Sequence, residues 1–159
     1  MIGAVLGTAL SGRKTAYDGG TKPLDVQRGK QMQDFEKTWT TDKPFEQAVS
    51  AIEAKAAEKG FRVLYTHDVA ATLAEKGFPR EPLKIVEICN AKYASQVLNR
   101  DVKISLMLPC PISVYVQQGK TNISTMLPTS IAQFFPQAGI EGLASEVENI
   151  VLQIIEEAR

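Results

Sequence analysis

Apolar positions in the middle of the chain recur first at helical and then at alternating spacing. Phe45, Val49, Ile52 and Ala56 share one helical face, and Gly60 follows as a C-terminal stop. Thr41 or Asp42 can cap this helix, and Pro44 suits its first turn, where a missing N–H costs nothing. Residues 61–66 (FRVLYT) read as a strand, and Asp68 caps a second helix over 69–76 that Gly77 closes. Pro82 leads into a strand over 83–89, and 91–98 make a short helix ended by Asn99-Arg100-Asp101. Residues 103–108 and 112–117 alternate as strands hinged at Pro109-Cys110-Pro111. Gln118-Gly119 then turns the chain into a strand over 121–126. A short helix over 129–134 precedes a long one over 141–158, whose stripe is Leu143, Val147, Ile150, Val151 and Ile154. Strands gathered late and joined by hairpins predict an α+β domain: a mixed or mostly antiparallel sheet with helices on one face.

Residues 1–40 do not share that pattern. Residues 1–12 (MIGAVLGTALSG) are small and apolar, with Gly3 and Gly7 at GxxxG spacing, and Arg13, Lys14, Lys22, Arg28 and Lys30 follow. A secretory signal carries its positive charge ahead of the apolar run, and this order is reversed. A dozen apolar residues fall short of the roughly twenty a bilayer core requires. The segment reads as an N-terminal arm and linker, with residues 41–159 as one domain. Residues 1–30 could tether that domain to a larger assembly or lay it on a membrane surface.

Composition narrows the partners. Eighteen basic residues balance eighteen acidic ones, so no net field draws the chain to nucleic acid. Two cysteines are too few for a disulfide scaffold and leave cytoplasm and periplasm both open. No glycine-rich phosphate loop follows a strand, which speaks against nucleotide binding.

Several segments resemble the domain-of-unknown-function 302 (DUF302) family: Pro44-Phe45, GFRVLYTHDV at 60–69, AATLAEKGF at 70–78, IVEICNAKYASQVL at 85–98 and LPCPISVYV at 108–116. The stretch from Gln118 to Pro128 continues the likeness, which covers about residues 44–157 and leaves out the arm. It implies a compact α+β fold similar to the TATA-binding-protein arrangement and a tendency to dimerise. It implies no reaction and no catalytic set. Family members often show Asn-Pro where this chain has Asn90-Ala91.

Three constellations carry chemistry. Cys89 and Cys110 fall at strand ends, where they suit a redox pair, metal ligands or small buried residues. The helix beginning at Ala91 could lower the pKa of Cys89 through its N-terminal dipole. With His67 they supply three ligands where a structural zinc wants four, so no metal site is expected. His67, the sole histidine, follows a strand just ahead of the Asp68 cap. One imidazole per chain excludes a two-histidine site within the chain, but a two-fold dimer could bring two copies of His67 to one haem b. The third signal is an absence: between Ile104 and Ile140 the only charged residue is Lys120. Alternate positions there hold Ser105, Met107, Ser113, Tyr115, Gln117, Asn122 and Ser124, a neutral face suited to a protein interface or an apolar cofactor lined by Met107 and Tyr115. Phe134-Phe135-Pro136 could form a wedge at its edge, and Glu87 is expected to pair with Lys84 or Lys103.

The expectation is a non-catalytic, dimeric binding or interaction protein holding an apolar cofactor such as haem between subunits. One alternative is a thiol-based redox or sulfur-transfer protein using Cys89 and Cys110. Another is a structural accessory subunit.

Overall fold

The computed structural model describes residues 35–159. Five strands, β1 (Glu36–Thr41), β2 (Arg62–Asp68), β3 (Leu83–Cys89), β4 (Cys110–Gln117) and β5 (Lys120–Met126), form one sheet in the order β1-β5-β4-β3-β2. Every pairing is antiparallel. The helices are α1 (Phe45–Glu58), α2 (Val69–Ala74), α3 (Ala91–Arg100), α4 (Thr129–Phe134) and α5 (Glu141–Ala158).

The sheet alternates as half-buried strands must. Trp39, Val86, Ile88, Ile112, Val114 and Ile123 point to one face and are buried there against Ala48, Val49, Ile52 and Ala56 of α1 and Val151, Ile154 and Ile155 of α5. Removing a side chain such as Ile52, which has no exposed surface, costs roughly 2–5 kcal/mol by the usual large-to-small penalty. Beyond the end of the sheet a second cluster joins Val97 of α3, Ile104, Ile131 and Ala132 of α4, and Ala144 of α5.

Several boundaries move by a residue or two, and three features depart further from the expectation. Glu36–Thr41 is not linker but the edge strand beside β5, so an arm drawn to residue 40 runs into the domain. Residues 103–108 are not a strand: Val102–Met107 is a 3-10 turn, opened by Asp101 accepting from the Lys103 N–H at 2.9 Å. Ile104 is buried there while Val102 and Leu106 are 70% and 81% exposed, which no strand face would produce. Neither Thr41 nor Asp42 caps α1. Pro44 occupies that position without a side-chain bond, and the Thr41 hydroxyl instead accepts from the Lys43 N–H at 3.2 Å.

Gly60 and Gly77 follow helices with φ of +78° and +84°, a left-handed conformation that glycine adopts without steric cost. Asp68 caps α2 as expected, accepting from the Ala71 N–H at 2.8 Å.

Candidate functional site

The second face of the sheet carries its polar alternates. Thr38 and Thr40 of β1, Asn122 and Ser124 of β5, and Ser113 and Tyr115 of β4 sit in register across it. Leu83, Ile85 and Glu87 of β3 continue the surface to Tyr65 and His67 of β2. Both long helices, α1 and α5, pack on the opposite side. A hydroxyl and amide ladder runs over the side that neither α1 nor α5 covers: Thr38 Oγ1 lies 2.6 Å from Ser124 Oγ, Ser124 Oγ lies 3.1 Å from the Tyr115 hydroxyl, and Thr40 donates to Asn122 at 3.0 Å. Internal pairing leaves these groups satisfied without charge.

A bulge places His67 on this face. Val63 pairs with Ile88 on the helix side, whereas Tyr65 already pairs with Glu87, so Leu64 is the extra residue. Without it, the two-residue period would turn His67 toward the helices. Thr66, on the helix side, confirms the phase by donating to Glu53 of α1 at 2.6 Å.

His67 Nε2 lies 3.2 Å from Glu87 Oε1, and the Tyr65 ring meets the imidazole edge-on at 4.6 Å. Glu87 therefore pairs with neither Lys84 nor Lys103. Lys84 points to the helix side and binds the Glu46 carboxylate at 2.8 Å. Tyr115, opposite Leu83, shares the face with His67, opposite Ile85. Met107 does not, and neither does Ser105: Met107 packs with the second cluster on the 3-10 turn. Phe134 is exposed and Phe135 packs inward, so the aromatic pair splits between surface and core.

The cysteines occupy a separate place. Cys89 ends β3 and Cys110 begins β4, where Cys110 pairs with Ile88. Both are free thiols. They open on a cavity of about 40 Å³ whose wall includes Phe61, Val97, Ile104 and Leu143. Burial pushes the Cys110 thiol up to about 11, with neighbouring Cys89 adding to the effect. Burial also raises Cys89.

Asn90 holds this corner together. Its side-chain oxygen accepts from the N–H groups of Lys92 and Tyr93 at 3.0 and 3.4 Å, capping α3, and its amide donates to the Gly60 carbonyl at 3.0 Å. The Tyr93 hydroxyl donates to Glu146 of α5, a bond that also raises the phenol's pKa. The bulge, the His67–Glu87 pair and the Asn90 bridge escaped sequence reasoning. The cavity did too, although two cysteines at strand ends marked its place.

Among the described residues no cluster of three or more His, Cys, Asp or Glu groups is placed to hold a metal ion, and no helix is long and apolar enough to cross a membrane. The proposed tether, residues 1–30, lies outside the described residues. No curated protein matches the chain. The fold is similar to the crystal structure of an uncharacterized conserved DUF302 protein from Bacillus stearothermophilus. The TM-score is 0.76 and the identity 26%, over 80% of this chain and all of that one. The model of the family described as "Domain of unknown function DUF302" matches residues 37–158. The chain belongs to the DUF302 family.

Proposed function

We propose that this protein is a non-catalytic binding protein that pairs with a second copy through the sheet face opposite α1 and α5 and offers His67 there to an apolar cofactor such as haem b. The observation that carries the reading is that face: neutral at its centre, internally hydrogen-bonded, and bearing the chain's one imidazole. A surface that meets its own copy across a two-fold must not repel itself. In this register the charges are Glu36 and Glu87 against Arg62 and Lys120, two of each sign.

The residues around His67 fit a flat apolar ligand. Ile85, Leu83 and Tyr115 extend beside it as a half-buried floor. His67 Nε2 lies 3.2 Å from Glu87 Oε1, and a carboxylate beside one ring nitrogen is the usual companion of a histidine that binds a metal through the other. A haem held there would supply a redox-active or gas-binding iron. The chain's own residues would orient the imidazole and shield the macrocycle from water.

The thiol-based reading is less well supported, because both thiols are shifted toward their unreactive protonated form.

Two measurements test the proposal together: the mass in solution by light scattering, and the visible spectrum of protein made with ample haem, before and after reduction. A dimer with a Soret band that His67→Ala removes is the expected result. A monomer would overturn the pairing, and a flat spectrum would overturn the cofactor.

A further inference from the structure

We infer that the cavity lined by Cys89 and Cys110 is a binding site for one small uncharged apolar molecule, on the scale of a dissolved gas. Its wall draws on α3 through Ala94 and Val97, on the 3-10 turn through Ile104, on α4 through Ile131 and on α5 through Val147. Val97, Ile104 and Ile131 are buried members of the second cluster, so the space reaches into that core. Close-packed interiors leave few voids of this kind. None of Tyr65, His67 or Glu87 lines it, so the inference stands apart from any cofactor on the sheet face.

The wall selects the occupant. It contains no charged side chain, and an ion taken from water into apolar surroundings would lose its hydration without a compensating partner. Water fares badly too, because a buried water needs about two to four polar partners. The Asn90 side chain, the one amide group in the wall, is already bonded to Lys92, Tyr93 and Gly60. The Tyr93 hydroxyl is taken by Glu146. Thiols are weak donors and weak acceptors, and burial keeps Cys110 protonated, its value pushed up to about 11. What remains is dispersion, to which polarizable sulfur contributes well. The volume, about 40 Å³, is far below the roughly 150 Å³ of an apolar cavity that takes benzene. The occupant is therefore smaller than a six-membered ring.

The test uses xenon as the probe, with isotope-labelled methyl groups of the unmodified protein followed by NMR under rising gas pressure. The expected result is that the methyl signals of Val97, Ile104, Ile131 and Val147 shift and level off together, as one site per chain fills. Ile52 and Ile155, in the other cluster, should stay in place. Ala94→Leu, checked for folding by circular dichroism, fills the space from α3 and should abolish those shifts. Shifts that climb with pressure without levelling off, or that are as large at Ile52 as at Ile104, would overturn the proposal. The unmodified protein alone can give either result. Shifts that survive in folded Ala94→Leu would overturn it as well.

Discussion

The indole of Trp39 donates from Nε1 to Oε1 of Glu156 at 2.7 Å, which ties the outermost strand to the last helix across the core. Because Trp39 is the only tryptophan, its fluorescence reports on that tie. The Glu156 carboxyl is held below its usual value, first by Trp39 and next by the Arg159 guanidinium. A carboxyl lowered on folding adds stability above its unfolded value, and loses it as the pH falls through the folded one. Urea midpoints followed through Trp39 should therefore decline as the pH drops from about 5 toward 3. Glu156→Gln should flatten part of that decline. An identical acid response in the variant would remove Glu156 as a source.

Asn90 caps α3 and also donates to Gly60, so its replacement strikes two bonds. Asn90→Ala should cost about 1–2 kcal/mol in urea unfolding, from the lost cap and the stranded carbonyl. Asn90→Asp keeps an acceptor for the helix N–H groups and loses only the donor, so it should cost less. Equal losses in the two variants would show that the cap contributes nothing.

Element identity was most legible where a periodic apolar stripe met a clear punctuator. Thr129–Phe134, Leu83–Cys89 and Glu141–Ala158 fall where their patterns place them. Strand β1 was not legible because EKTWTT turns only Trp39 and Thr41 inward. Its stability comes from β5, some eighty residues away, and local propensity carries no trace of that pairing. The 3-10 turn misled for the opposite reason. Val102, Ile104 and Leu106 alternate with Lys103 and Ser105, yet only Ile104 reaches the core. The candidate site was legible as residue types and not as geometry. His67 owes its face to one bulged residue, Leu64, and no period of the sequence encodes that extra step.

The thiols should be slow. With its value at about 11, Cys110 holds roughly a thousandth of its population as thiolate at pH 8. Reaction with a water-soluble disulfide reagent should speed up about tenfold per pH unit through the range 8 to 10, in step with the thiolate fraction. Cys89, the less deeply buried of the two thiols, should react ahead of Cys110. A fast, pH-independent reaction of either thiol would contradict the desolvation that the cavity imposes.

Ser124 sits at the centre of the neutral ladder, between the hydroxyls of Thr38 and Tyr115. If two copies meet through this face, Ser124→Glu puts a carboxylate of each copy into the middle of the contact, and charge buried against like charge costs several kcal/mol. A loss of 1.4 kcal/mol is already tenfold in affinity, so the dimer should dissociate at micromolar protein. Sedimentation velocity would show the shift, with circular dichroism confirming that the sheet survives. Gln153→Glu, exposed on α5, which packs on the other side of the sheet, adds the same charge and should leave the dimer intact. If both variants stayed dimeric, the contact would have to lie elsewhere. Were both monomeric, net charge alone would explain the loss.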